Sequence, residues 1–283
     1  MKALYLASSA LALSTASVWA DGHAAPVSGY ALAGGGSTLL VMTDVSAPTD
    51  IASFDLGASL DAIAWRPVTG DLLGLADGAI YLIDPTSGEM TDLEASFADD
   101  AMLSGDATAF DFNNQIDAVR AVSSAGENLV YFPDGFGDGD DRAGSVLRFT
   151  DLAYGEGDAH EGTTPMIFAN AYTNAVNGMT ASETFQYAID AETDALVSLA
   201  NNAGTLTTIA AISVDGQAVD LAPMGGFDIV SPGEGDNTAL AILQMSGSES
   251  AGLYTLDLET GAATLNADLG TGGITGFAAS LGM

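Results

Sequence analysis

Short apolar or alternating runs recur along this chain at intervals of roughly 8–15 residues, with Gly, Asp, Asn and Pro between them. Helical periodicity is nearly absent, so the pattern predicts an all-β fold. The runs also repeat in fours. Residues 63–89, "IAWRPVTGDLLGLADGAIYLIDPTSGE", read as strand, turn "PVTG", strand "DLLGLA", turn "DG", strand "AIYLID" and turn "PTSG", with a fourth strand near "EMTDLE". The same order returns as "FDFNN", "DAVRAVSS", "NLVYFPDG", "SVLRFTDL", then as "ANAYTN", "FQYAID", "DALVSLA", "GTLTTIAAI". It returns again as "FDIV", "TALAILQM", "GLYTLDLETG", "AATLNADL".

Four four-stranded units are thus predicted, and the chain ends supply a fifth. "SGYALAG", "STLLVMTD" and "DIASFDL" lack an innermost partner, and "ITGFAAS" (274–280) is a lone strand. Joining them closes a ring, the expected way to seal a β-propeller and leave only short protected edges. Five units give about 52 residues each, close to a propeller repeat. Six blades follow instead if residues 151–168 hide further strands. A pair of β-sandwiches would explain neither the four-strand repeat nor the split unit.

The first twenty residues read as a secretory signal: Lys2, a weakly apolar stretch, and "VWA" ending at Ala20. Serines interrupt that stretch, and it is short for a membrane anchor. Residues 21–27 are then a flexible tail and 28–283 a single propeller domain. The reading is of an exported protein, periplasmic or extracellular, with no membrane-embedded segment, and a monomer.

Charge sharpens this picture. Without the leader, Arg66, Arg120, Arg142 and Arg148 stand against 38 acids, a formal charge of −34. Nucleic-acid binding is excluded, because phosphate contacts need clustered cations. Disorder fails as an explanation of the charge, since 48% of residues are hydrophobic. Self-repulsion on this scale calls for salt screening or bound cations such as Ca²⁺. There is no cysteine, which removes disulfides, thiol nucleophiles and thiolate metal sites.

Candidate chemistry gathers on the innermost strands. Aligned, Ile63-Ala64-Trp65, Phe110-Asp111-Phe112 and Phe227-Asp228-Ile229 share one register. Asp111 and Asp228 then occupy equivalent positions, and Asn113 follows Asp111 on the same face. Such oxygens near an axis suit Ca²⁺ or a water cluster. The plainer alternative is that they cap backbone amides, or that Asp111 or Asp117 pairs with Arg120. Arg66 is read either as an ion-pair partner or as a ligand contact. In "PDGFGDGDDRAG" (133–144), Asp138 and Asp140 have calcium-loop spacing, but Arg142 and Ala143 break the pattern, so a solvated hairpin tip competes. His160 lies among Glu156, Asp158 and Glu161, and His23 lies in the tail. No nucleophile elbow, dinucleotide loop or Walker loop occurs.

"WRPVTGDLLGL", "FDFNNQIDAVR", "AYTN", "NNAGTLTTI", "GFDI" and "LYTLDLETGAAT" together resemble the bacterial family called domain of unknown function 4394. The resemblance runs in order along nearly the whole chain after the leader. It implies an exported, propeller-like protein and brings no activity with it. The chain departs from the family pattern at Ala64, Asn114, Ala118 and Val130, losing two arginines, so the resemblance implies no anion site. The expected function is a non-enzymatic binding or scaffold module for a protein or glycan ligand. The alternative is a Ca²⁺-assisted hydrolase acting on a carbohydrate or lactone at the channel mouth.

Overall fold

Every residue of the strand Thr108–Asn113 is buried, although Phe110, Asp111 and Phe112 alternate apolar and polar. Both faces of such a strand meet neighbouring sheets, which is the situation of an innermost propeller strand. The computed structural model describes residues 26–48, 51–76 and 78–281. The expected signal sequence and most of the tail lie outside the described residues.

Five sheets surround one axis. Blade 1 joins the chain ends, in the order Gly276–Leu281, Val27–Ala33, Thr38–Met42, Ile51–Asp55. Tyr30 pairs with Ala278 and Leu32 with Gly276, so the last strand closes the ring against the first. Blades 2 to 5 start at the axis with Ala62–Arg66, Thr108–Asn113, Ile167–Tyr172 and Leu221–Gly233, and each runs outward through antiparallel neighbours. The five-bladed all-β propeller and its split closing blade match the sequence pattern. Its first strand starts at Val27, one residue before the expected boundary.

Residues 151–168 form no sixth blade. They contribute Ala153–Tyr154, which lies parallel to the outer strand Thr205–Ala211 of blade 4. Ser96–Phe97 does the same for blade 3 and Ser213–Val214 for blade 5. The linker from one blade's rim back to the axis passes the next blade's outer edge. Pairing there satisfies backbone groups and covers an edge open to aggregation.

The core is divided among the blade interfaces. Phe110 and Phe112 pack on Ala62, Ala64 and Leu73 of blade 2. Phe227 and Ile229 pack on Ala169 and Ile189 of blade 4. Tyr30 of blade 1 stacks on Trp65 of blade 2 with centroids 5.5 Å apart. Each such fully buried large side chain contributes about 1.5–3 kcal/mol. The blades meet so closely at the axis that a Cβ on Gly226 would lie 2.3 Å from the Phe277 backbone nitrogen. That contact requires glycine, and it joins blade 5 to the closing strand.

Candidate functional site

The two ends of the axis differ. At the end where the inner strands finish, a long connection, residues 173–185, leaves blade 4 and crosses to every other blade. Asn177 Nδ2 donates to the Leu281 carbonyl of blade 1 at 2.8 Å. The Gly178 amide donates to the Pro67 carbonyl of blade 2 at 2.9 Å, and the Ala181 amide to the Asn114 carbonyl of blade 3 at 3.0 Å. The Ala175 amide donates to Ser231 Oγ of blade 5 at 3.1 Å, and Ser182 bonds Glu234. Asn114, fully buried, donates from Nδ2 to the carbonyls of Asn174 and Met179 at 2.8 and 3.1 Å. Asn174 holds a left-handed φ of 61° and ties the root of the loop to Asn237 and Gly235. A connection pinned at so many points is a lid built into the fold.

Several sequence candidates belong to this closed end. Arg66 makes a two-pronged pair with Asp117, at 2.8 and 2.5 Å, the side chains 15% and 20% exposed. That hydrogen bond raises the Arg66 pKa further. Asn113 Oδ1 accepts from the Gln115 amide and from Thr184 Oγ1 of the lid. Arg120 does not pair with either aspartate. It is buried between blades 3 and 4, where it donates to Tyr172 Oη at 2.9 Å, to Asn202 Oδ1 at 2.8 Å and to Asn128 Oδ1. The Phe149 ring lies 5.8 Å from its guanidinium carbon. The "NNAG" segment, a short helical turn at Asn201–Ala203, is thus the cradle of Arg120.

Asp111 and Asp228 lie on the inner strands in equivalent settings. Asp111 Oδ2 accepts the Tyr172 amide of blade 4 at 2.7 Å. Asp228 Oδ2 accepts the Ala279 amide of blade 1 at 2.6 Å, and its Oδ1 accepts the Ile229 amide. Each carboxylate therefore stitches its blade to the next one round the ring. Burial pushes both pKa values up, that of Asp228 to about 7. For Asp111 the charge of Asp228 adds to burial, and the backbone amides oppose it.

The remaining candidates lie apart from the axis. Asp140 pairs with Arg142 at 2.7 Å in the exposed hairpin that also carries Asp138. His160 packs against Tyr154 on the outer strand of blade 4. His23 is outside the described residues. Among the described residues, no three His, Cys, Asp or Glu side chains gather as metal ligands, and no helix is long and apolar enough to cross a membrane.

The end where the inner strands begin is open. A cavity of about 750 Å³ occupies it, lined by Leu60, Leu75, Phe97, Met102, Leu103 and Met224 among others. Asp61, Asp99 and Asp106 also face it, with no Arg, Lys or His among the described lining residues. Met102 is 63% exposed, an unusual position for a large apolar side chain. Sequence reasoning missed this mouth. Its residues lie in the linker 97–107 and in "LAPMGG", which carry no strand periodicity, and only the two methionines in polar, Gly-rich surroundings signal it.

A family model, Domain of unknown function (DUF4394), matches residues 40–278. No curated protein matches the sequence. Among solved structures, the chain is similar to one titled "Crystal structure of Nidogen/Laminin Complex", with TM-score 0.49 and 11% identity, covering 90% of this chain and 98% of that one. It is also similar to an auxiliary nutrient binding protein from Bacteroides thetaiotaomicron VPI-5482, with TM-score 0.41, 13% identity and coverage of 75% and 55%. The chain spans about half the length of that relative. A protein of unknown function from Bacteroides caccae aligns with TM-score 0.38 and 10% identity over 90% of this chain and 98% of that one.

Proposed function

This chain belongs to the family described as Domain of unknown function (DUF4394), and we propose that it is an exported, non-enzymatic binding module that takes its ligand at the open mouth of the propeller. One observation carries the reading: the lid 173–185 crosses one end of the axis, whereas the other end opens into a cavity of about 750 Å³. That volume falls in the range of small-ligand and peptide side-chain sites. Its apolar wall and three carboxylates favour a ligand with an apolar body and a neutral or cationic head. Anionic ligands are repelled, both by these acids and by the field of a chain carrying −33. Met102 and Met224 are flexible and polarisable, suited to a surface that adapts to its ligand. Export is supported by the leader-like first twenty residues.

The experiment is methionine methyl NMR during titration with octyltrimethylammonium as probe. The methyl signals of Met102 and Met224 shift, and that of Met179 on the lid does not. Shifts confined to Met179 refute the reading.

A further inference from the structure

The chain contains one Asn-Gly pair, Asn177-Gly178, and it sits in the middle of the lid. Asn177 Nδ2 donates to the Leu281 carbonyl of the closing strand at 2.8 Å. The Gly178 amide donates to the Pro67 carbonyl of blade 2 at 2.9 Å. On either side, Nδ2 of Asn114 in blade 3 reaches the carbonyls of Val176 and Met179, at 3.5 and 3.1 Å. Two consecutive residues therefore hold the lid to blades 1 and 2, and a third blade brackets them. Gly178 is exposed at φ 75°, and a Cβ there would meet nothing within 4 Å.

Asparagine followed by glycine is prone to a reaction with its own backbone. The glycine amide nitrogen attacks the asparagine side-chain carbon Cγ. A C–N bond forms, the Cγ–Nδ2 bond breaks, and ammonia leaves with the proton that the amide nitrogen gives up. Water then opens the resulting succinimide at either carbonyl, leaving aspartate or isoaspartate, a carboxylate in both cases. Glycine favours the attack because it has no Cβ to obstruct it and its backbone is permissive. In the closed lid both reacting groups are engaged. The proton that must leave Gly178 is donated to Pro67, and Asn177 is held against Leu281. The ring closes only after both bonds break, which is a local opening of the lid.

We propose that Asn177 is a deamidation site gated by the lid, and that its modification permanently unlatches the lid from the closing strand. Nδ2 is the donor to the Leu281 carbonyl. The product carboxylate is an acceptor only, so two oxygens then face each other and an attraction becomes a repulsion. The added charge also falls on a chain that already carries −33. Isoaspartate lengthens the main chain by one methylene between residues 177 and 178, which shifts the contacts to Pro67 and Asn114 out of register. Closing the lid does not reverse the reaction, so transient openings accumulate as a lasting change at this end of the axis. The site is remote from the mouth and does not rest on the ligand reading.

The test is peptide mapping by mass spectrometry during incubation in mildly alkaline buffer, with isoaspartate detected by enzymatic methylation. Folded wild type, wild type unfolded in guanidinium chloride and folded Asn114→Leu are compared. Residue 177 is expected to convert at least about tenfold more slowly in folded wild type than in the unfolded chain, with Asn114→Leu in between. Asn177→Asp reproduces one product. Hydrogen exchange of its Gly178 amide is expected to be faster than in wild type. Exchange of the inner strand Thr108–Asn113 stays unchanged, which shows that the variant is folded. No conversion of Asn177 in either state overturns the site. Equal rates in folded and unfolded wild type, or no acceleration in Asn114→Leu, overturn gating by the lid. Unchanged Gly178 exchange in Asn177→Asp overturns the unlatching.

Discussion

The carboxylate of Asp228 in blade 5 accepts the backbone amide of Ala279 in the closing strand at 2.6 Å. The same side chain accepts the Ile229 amide, so one residue satisfies two buried donors at the seam where the ring closes. Replacing it with alanine leaves both donors unmet. Asp228→Ala is expected to be less stable than Asp228→Asn by about 1–3 kcal/mol, because asparagine keeps an oxygen in place. Urea unfolding of the two variants in the same buffer gives the difference.

Asn114 is the pin of the lid. Its Nδ2 serves two lid carbonyls, and its own carbonyl receives the Ala181 amide. Asn114→Leu removes the side-chain bonds and keeps the backbone one. A loss of about 1–3 kcal/mol is expected, together with faster proteolysis between residues 174 and 185. Cleavage at that loop in wild type and variant at equal rates would show that the pin does not hold the lid.

Arg66 and Asp117 span blades 2 and 3 in a partly buried pair. Asp117 stands at φ 53°, a left-handed turn position that aspartate tolerates better than most residues. A double-mutant cycle with Arg66→Met and Asp117→Asn is expected to give a coupling of about 1 kcal/mol, above that of an exposed pair. The exposed Arg142–Asp140 pair serves as the comparison and should give a smaller value.

Tyr154 donates its hydroxyl to the buried carboxylate of Asp190. Burial and that hydrogen bond push the phenol pKa well above the ordinary tyrosine value of about 10. The folded chain therefore keeps a proton that the unfolded chain releases. Stability contributed by this phenol is present below pH of about 10 and is lost as the pH rises beyond it. Tyr154→Phe should flatten the fall in stability on the alkaline side, and the phenolate absorbance of native protein should show Tyr154 among the last phenols to ionise.

Much of the fold was legible in the sequence because each blade repeats four short strands with turn residues between them. "IYLIDPTSG" and "LYTLDLETG" fall at the same place in their blades, as the alignment requires. The two-residue outer strands were not legible, since Ser96–Phe97 and Ala153–Tyr154 are set by the path of a linker past a neighbouring edge. The inner-strand register did place Asp111 and Asp228 in matching positions. It could not show that they turn toward the next blade's amides, nor that Arg120 reaches Tyr172 rather than an acid. The lid was hidden in a stretch without periodicity, "TNAVNGMTASET", whose partners are distant in sequence.

The proposed function requires that ligand enter at the open mouth and be selected by its charge. Calorimetric titration with octyltrimethylammonium and with octyl sulfate, at one ionic strength and below micelle formation, distinguishes the outcomes, using wild type, Met224→Arg and Met179→Arg. The cationic probe is expected to bind the wild type and the Met179→Arg variant alike, Met224→Arg to weaken it at least tenfold, about 1.4 kcal/mol, and the anionic probe not to bind. Equal binding of both probes, or loss of binding in Met179→Arg with Met224→Arg unaffected, would contradict it.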